Sequence, residues 1–231
     1  MRTGIRAGLP AAGLLAGIVG TMACAGAQTA AVRSKTAPGG KPPLSITRAN
    51  LAQQAAFTVV QTLAPKGGDK LVRTYTVRVK GNKARMDYDD PSMGSVRYLA
   101  NEKGVFFYIP ANRSAMKQTL KGGVEGALKV AFAQYATQLA GARKIGVATV
   151  SGQPTTVYKE AQSGATIYLG TRPGFRLPVK AVIDNEGGTS TFLVTDIKLN
   201  VPLKEDLFAL PAGTQIMESS GGDPAFPGVA P

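Results

Sequence analysis

Asp87, Asp89 and Asp90 form the one cluster of carboxylates in the sequence, and such clusters can bind calcium or transfer protons. A calcium-binding loop also needs a glycine at its sharp turn and a bidentate glutamate at its end, and this segment has neither in place. We therefore interpret the three aspartates as solvated carboxylates at a strand edge that balance the basic residues Lys83 and Arg85.

Other catalytic groups are scarce. The chain has no histidine, and Cys24 is its one cysteine, which excludes the Ser-His-Asp triad, the Cys-His pair and the usual zinc sites. The turn at Ser151-Gly152 lacks the strand, lysine and helix of a phosphate-binding loop. The sequence thus predicts a protein that is not an enzyme and needs no cofactor or metal. A hydrolase with carboxylates converging in a cleft is the weakest alternative.

The N-terminus is typical of a secretory signal. Arg2 and Arg6 precede an apolar run over residues 7–20, and Ala25-Gly26-Ala27 matches the small-x-small cleavage pattern. Residues 1–27 are therefore predicted to be a signal peptide, and the protein is predicted to be exported to the periplasm or cell envelope. Two alternatives stay open, which are a lipid anchor attached through Cys24 and a retained N-terminal anchor helix.

Composition divides the remaining chain into three parts. Residues 28–43 are polar and rich in proline and glycine, which predicts a flexible linker. Residues 219–231, with two adjacent glycines and three prolines, are predicted to be a disordered tail. Residues 44–218 between them show no repeat and no linker, so they are expected to form one domain with its own core.

The chain is strongly basic, with 27 lysines and arginines, 14 aspartates and glutamates, and a net charge of +13. Loss of residues 1–27 would remove two basic residues and no acidic ones, which leaves +11. Such a surface favours an envelope membrane or another acidic partner, although it serves equally well for solubility. Export makes nucleic acid an unexpected partner. We expect a monomer.

Strand patterns dominate residues 44–218, and short turns join most neighbours, which requires antiparallel pairing. Tyr75 and Val77, for example, alternate with Thr76 and Arg78. A sheet of about eleven strands must curl or split. The predicted fold is mainly β with helices (α+β), a curved antiparallel half-barrel with a helix covering its concave face. The predicted strands are 57–63, 71–80, 83–89, 95–101, 105–109, 114–120, 143–150, 155–159, 165–169, 177–184 and 189–199.

The strand 105–109 is apolar on both faces. Val105, Phe107 and Ile109 alternate with Phe106 and Tyr108, whereas an antiparallel strand usually has one wet face. The pattern predicts that something covers each side of this strand. It fits a central strand in a filled core as well as the wall of a cavity.

One amphipathic helix is predicted over residues 124–139, after Gly122-Gly123 and before Gly141. Its apolar stripe is expected to lie over the concave side of the sheet. A shorter helix is predicted over residues 46–55.

Several short motifs occur in a recognisable order. They are Arg85-Met86-Asp87-Tyr88, Asp90-Pro91, the segment from Glu102 to Pro110, and Leu207-Phe208-Ala209-Leu210-Pro211. Together they resemble the LolA/LolB-like superfamily of periplasmic lipoprotein carriers over most of residues 50–218. The resemblance implies an incomplete antiparallel barrel whose helices plug a cavity that holds acyl chains.

The sequence and the resemblance together predict an exported carrier or binder of lipid or lipoprotein acyl chains. Transfer of a chain from water into an apolar cavity gains about 0.8 kcal/mol per methylene, so such a protein needs apolar area more than catalytic groups. The alternative is a non-catalytic envelope sensor or protein-interaction module on the same fold, with a filled core.

Two sets of residues are predicted to form the site, and Phe107 and Phe132 are expected to line one cavity. The predicted cavity residues are Tyr75, Val77, Val79, Met86, Tyr88, Tyr98, Phe107, Leu128, Phe132, Tyr135, Ile167, Val179, Leu193 and Ile197. Arg73, Arg85, Arg97 and Lys117 are predicted to meet an anionic head group or partner at the rim.

Overall fold

Alternating apolar and polar residues produce a sheet of twelve strands. The structure, a computed structural model, describes residues 47–118, 125, 132 and 135–218, which lie in the unit Gly40–Pro231. The strands are β1 (Gln54–Pro65), β2 (Leu71–Lys80), β3 (Lys83–Asp90), β4 (Gly94–Asn101), β5 (Gly104–Ile109), β6 (Ser114–Gln118), β7 (Ala142–Val150), β8 (Gln153–Glu160), β9 (Thr166–Gly170), β10 (Pro178–Asn185), β11 (Gly188–Leu199) and β12 (Gln215–Glu218).

The strands form one open sheet in the order β12-β6-β5-β4-β3-β2-β1-β11-β10-β9-β8-β7. All neighbours pair antiparallel except β12 and β6, which are parallel. The predicted β-rich, open antiparallel architecture is confirmed, and each of the eleven predicted strands matches one of β1–β11. β6 is second in this order and β7 is last, so these two consecutive strands lie in opposite halves of the sheet.

One local prediction is wrong, and one strand was not predicted. The chain over residues 46–55 is not a helix of that length, because a 3₁₀ turn at Arg48–Asn50 is followed by strand from Gln54. The Arg48 guanidinium closes this turn by donating hydrogen bonds to three backbone carbonyls at 2.6–3.0 Å. The strand β12 was not predicted, because its four residues are all exposed and carry no burial pattern.

One face of the sheet, which we call the inner face, carries the main core. Its buried side chains come from strands β1 to β5 and β9 to β11, and they form one cluster with the helical residues Phe132, Tyr135 and Leu139. The Phe132 and Tyr135 rings lie 5.9 and 5.1 Å from the Phe192 ring. A helix against the inner face is therefore confirmed at residues 132 and 135–140, and the remainder of the predicted helix over residues 124–139 lies outside the described residues.

The opposite face, the outer face, has a smaller core. Phe106 and Tyr108 of β5 pack there with Leu99 and Ala115, and Leu210 from the C-terminal segment covers them. The C-terminal segment, defined as residues 203–218, is held by β12 and by a hydrogen bond from Asn101 Nδ2 to the Phe208 carbonyl at 2.8 Å. The prediction that β5 is covered on both sides is confirmed.

Few of the residues that the structure describes are helical. Within the described ranges, the helical residues form no apolar stretch of membrane-spanning length.

Candidate functional site

Four aromatic side chains form a row across adjacent strands of the inner face. Tyr75, Tyr88, Tyr98 and Phe107 come from β2, β3, β4 and β5 in turn, and we call them the aromatic row. Successive ring centres are 5.3, 6.3 and 5.1 Å apart, within the range of favourable aromatic contacts. The row exists because cross-strand register places Tyr75 opposite Tyr88 and Tyr98 opposite Phe107.

Burial decreases along the aromatic row. Tyr75, Tyr88 and Tyr98 are buried, whereas Phe107 is half-buried. Met116, which pairs with Phe107 from β6, is 41% exposed. The half-buried Met86 packs against the same core beside Tyr98. The row therefore ends at flexible apolar side chains that solvent reaches, and a hydrocarbon could cover them without opening the core.

A pocket of about 460 Å³ opens where β1 ends and where β2 and β11 begin. Side chains alternate between the two faces along a strand, so Leu63 lies on the inner face with Val59, and Leu71 lies there with Tyr75. Both leucines are exposed. The pocket is thus an apolar recess at one margin of the inner face. Its lining is completed by Ala64, Pro65, Asp69, Gly187, Gly188, Thr189 and Ser190.

Polar groups gather at the Tyr75 end of the aromatic row. The Tyr75 hydroxyl donates to Gln61 Oε1 at 3.1 Å. Arg73 has the same parity as Tyr75, and its charge and side-chain hydrogen bond partly oppose the burial that raises the pKa of Tyr75. Tyr88 Oη and Arg73 Nε are buried and have no hydrogen-bond partner in the described part of the chain.

The Tyr88 hydroxyl is a donor at physiological pH. Burial raises its pKa to about 12, with the charges of Asp90 and Tyr75 acting in the same direction and that of Arg73 against it. Of the four predicted anion-binding residues, Arg73 lies on the inner face, two residues from Tyr75 on β2.

Arg85, Arg97 and Lys117 lie on the outer face, which corrects their predicted place at the rim of the cavity. Arg85 alternates with Met86, Arg97 with Tyr98, and Lys117 with Met116, so these basic groups project from the other side of the sheet. Lys117 lines an outer-face pocket and pairs with Glu218 at 3.0 Å.

Arg85 and Arg97 belong to a four-residue network around Asp87. The Asp87 carboxylate accepts from Arg85 Nε at 2.7 Å, Arg78 Nη1 at 2.8 Å and Arg97 Nε at 3.0 Å. Burial raises the pKa of Asp87, but hydrogen bonds and charges from Arg85 and Arg97 outweigh it and hold this pKa below its ordinary value. We call these residues the outer arginine network.

The prediction that the aspartates balance the charges of Lys83 and Arg85 is thus partly correct. Asp87 does pair with Arg85, whereas Lys83 pairs with Glu205 at 2.8 Å and with Glu102 at 3.6 Å. The Asp90 carboxylate instead closes the turn after β3, where it accepts from the Ser92 and Met93 amides at 2.9 and 3.1 Å. A hydrogen bond from the Ser92 hydroxyl at 2.6 Å, together with those from the two amides, lowers the pKa of Asp90.

Most predicted cavity residues share the inner-face core. Leu128 lies outside the described residues. Leu193 is an exception to the prediction, because it pairs with Lys180 on the outer face. The residues buried in the inner-face core are Tyr75, Val79, Tyr88, Tyr98, Phe132, Tyr135, Ile167 and Val179, and those packed against it while half-buried are Val77, Met86, Phe107 and Ile197.

An irregularity in β11 explains the error at Leu193. Asp196 has a left-handed backbone, with φ of 53°, where the register against β1 shifts. A bulge of this kind reverses which side chains face inward. Simple alternation from Ile197 therefore predicts that Leu193 faces inward. The side chains that enter the inner-face core are instead Phe192 and Val194.

The C-terminal segment covers a second pocket, of about 670 Å³, on the outer face. Phe106, Phe208, Leu210 and Ile216 give it an apolar floor and wall, and Lys83 and Glu205 lie at its border. Sequence reasoning missed this pocket, although the apolar run Leu207-Phe208-Ala209-Leu210 was a signal that this segment packs against the sheet.

The chain matches no protein-family model and no curated protein sequence. Among solved structures, it is similar to an uncharacterized conserved protein of Thermus thermophilus, with 14% identity over 74% of this chain and 93% of that one and a TM-score of 0.47. A LolA superfamily protein of Nitrosomonas europaea shows 11% identity over 68% and 90% of the two chains, with a TM-score of 0.38. The Pseudomonas aeruginosa MucA/MucB complex shows 18% identity over 71% of this chain and 58% of that one, with a TM-score of 0.43.

These solved structures include a member of the superfamily that the sequence motifs resemble. Because the identities are below 25% and the TM-scores below 0.5, the likenesses carry no argument about the ligand or activity of this chain. The structure itself defines the class as an open-sheet β protein with an apolar inner face.

Proposed function

We propose that this protein is an exported carrier or binder of lipid or lipoprotein acyl chains, which it holds against the inner face of the sheet. The observation that carries the proposal is the aromatic row, which leads from a buried core to the half-buried Phe107 and the exposed Met116. The resemblance of the sequence motifs to lipoprotein carriers points to the same function.

The physical chemistry of this face suits reversible binding. Burial of an acyl chain gains about 0.8 kcal/mol per methylene, so affinity grows with the number of methylenes that cover Phe107 and Met116. Met86 and Met116 are unbranched and can change rotamer to follow a guest of irregular shape. A carrier must also release its cargo, and contacts that are apolar and non-directional allow this.

The place of action follows from the N-terminal sequence. The signal pattern over residues 1–27 directs the chain to the periplasm or envelope, and Cys24 offers a lipid anchor as the alternative. The basic surface adds attraction to anionic membranes from which a cargo would be taken.

A pair of charge-introducing variants tests the proposal. Phe107→Asp places a carboxylate at the half-buried end of the aromatic row, and we expect the folded variant to lose acyl-chain binding by more than tenfold. Val147→Asp introduces the same charge on the exposed edge strand β7 and should bind like the wild type. Binding is measured by the fluorescence of a neutral pyrenyl alkane added to purified protein, with circular dichroism as the check on folding.

The proposal fails if the wild-type protein does not bind the alkane probe. It also fails if folded Phe107→Asp binds the probe as well as Val147→Asp does. Phe132→Asp is a less clean test, because Phe132 is buried and its change threatens the fold.

A second function, as a protein-interaction module, is supported by the sheet edge at β12. Ile216 and Met217 of this edge strand are both more than half exposed, and Ile216 borders the outer pocket. An extended partner segment could add to such an edge. A partner that is also held through the basic surface should bind more weakly as the salt concentration rises, and the protein should then carry no bound lipid.

A further inference from the structure

Two buried donors on the inner face lack acceptors. Tyr88 is 4% exposed, and its hydroxyl has no partner within the described ranges; the same is true of Arg73 Nε. Buried polar groups in folded proteins nearly always have hydrogen-bond partners, because a buried donor without an acceptor lowers the stability of the fold. Two such groups at one place therefore require an explanation.

The sheet brings the two groups together. Tyr75 is directly opposite Tyr88, and Arg73 lies two residues before Tyr75 on the same face, so Arg73 and Tyr88 are diagonal neighbours across β2 and β3. Diagonal neighbours are about 7–8 Å apart at their backbones, within reach of an arginine and a tyrosine. The charge of Arg73 acts on both Tyr75 and Tyr88, which agrees with this placement.

Two neighbouring acceptor oxygens already have donors. Gln61 Oε1 accepts from the Tyr75 hydroxyl, and Asp90 Oδ1 accepts from the amides of its own turn. Tyr88 Oη and the Nε atom of the cationic Arg73 thus lie beside an apolar row, and neither has a hydrogen-bond acceptor in the described part of the chain. The missing partner should carry an oxygen acceptor, and the guanidinium favours a negative one.

We propose that Tyr88 Oη and Arg73 Nε bind the anionic oxygens of an acyl lipid's head group, while its hydrocarbon chain follows the aromatic row towards Phe107 and Met116. This inference rests on the proposed function and narrows it, since the favoured cargo becomes an acyl lipid with a carboxylate or phosphate head. The head group is buried at the inner face, and the chain ends at the more open side.

Binding of matched lipids tests the inference. Palmitate, hexadecyl phosphate and hexadecane share a sixteen-carbon chain and differ in the head, and each is used to displace the neutral pyrenyl alkane from purified protein. The wild type should bind the anionic lipids at least tenfold more tightly than hexadecane, the factor expected from one hydrogen bond to a charged group. The stronger of the two anionic lipids identifies the head-group class.

Two variants and one control assign the effect to these donors. Tyr88→Phe removes only the hydroxyl, and Arg73→Gln removes the cation; each should weaken anionic-lipid binding about tenfold and leave hexadecane binding unchanged. Tyr108→Phe makes the same change as Tyr88→Phe on the outer face, and it should leave all three affinities unchanged.

The outcomes separate this inference from the proposed function. If the pyrenyl alkane does not bind to the wild type, the proposed function is wrong and the inference falls with it. If the alkane binds but both variants keep the wild-type preference for palmitate and hexadecyl phosphate over hexadecane, the inference alone is overturned. Because Arg73 is only half-buried and Tyr88→Phe adds no atom, at least one variant should fold for the comparison.

Discussion

The two faces of strands β2 to β4 carry polar clusters that differ in whether their groups have hydrogen-bond partners. On the outer face, three arginines converge on Asp87, and each donates to its carboxylate at 3.0 Å or less. On the inner face, Tyr88 Oη and Arg73 Nε are buried without partners in the part of the chain that the structure describes. The outer cluster is complete within the protein, and the inner one is not.

This difference shows why the arginines that are most conspicuous in the sequence are not the best candidates for binding lipid. Arg85 and Arg97 are already engaged by Asp87, and the sheet separates them from the apolar row. A satisfied network stabilises the fold, whereas unsatisfied buried donors lower its stability unless a ligand provides the acceptor.

Neighbouring phenylalanines should give the largest contrast between the faces. Phe106→Ala removes a buried ring from the outer core and should lower the free energy of unfolding by about 3–5 kcal/mol. Phe107→Ala removes a half-buried ring from the inner face and should lower it by about 1–2 kcal/mol. Urea unfolding measures both, and equal losses would contradict the view that the inner face is less tightly filled at this end.

Loss of the outer carboxylate should have the next largest effect. Asp87→Asn leaves three guanidiniums without their anion, and we expect a loss of about 2 kcal/mol in unfolding free energy at pH 7. Binding of the pyrenyl alkane should not change, because the network lies on the other face.

The same variant carries a pH signature. The pKa of Asp87 is lower in the folded protein than the ordinary value of 3.8, so its stabilisation is complete above that value. The stabilisation is lost as the pH falls through the lower folded-state pKa. The difference in stability between wild type and Asp87→Asn should therefore shrink on acidification from about pH 5 towards about pH 2. A difference that stays constant over this range would show that the carboxylate charge contributes nothing.

The smallest effect compares two tyrosines of the aromatic row. Tyr75→Phe removes a hydroxyl that donates to Gln61 and should lower the unfolding free energy by about 1 kcal/mol. Tyr88→Phe removes an unpartnered hydroxyl and should leave the stability of lipid-free protein unchanged or raise it slightly. Thermal unfolding of delipidated protein gives both values, and a loss at Tyr88 as large as that at Tyr75 would mean that its hydroxyl has a partner within the chain.

Strand alternation made most of the fold predictable. The eleven predicted strands needed only local patterns and turns, and the two-sided apolar pattern of residues 105–109 correctly indicated cover on both faces. The exposed β12 and the 3₁₀ turn closed by Arg48 were not predictable, because tertiary contacts rather than local patterns hold them.

The site was predictable in its apolar part and less so in its polar part. The same alternation placed Tyr75, Tyr88 and Tyr98 together, but the bulge at Asp196 reversed the face of Leu193. The unpartnered state of Tyr88 could not be predicted, because it depends on which acceptors the neighbouring turns and strands have already used.

Native mass spectrometry of the protein purified from its own envelope without detergent tests the central claim, that the inner face holds an acyl guest. The account predicts a species heavier than the bare chain by the mass of one lipid, which fragments to release an acyl chain and which is absent from Phe107→Asp. Wild-type protein that carries no lipid in this measurement, and still carries none after incubation with palmitate or hexadecyl phosphate, would contradict it.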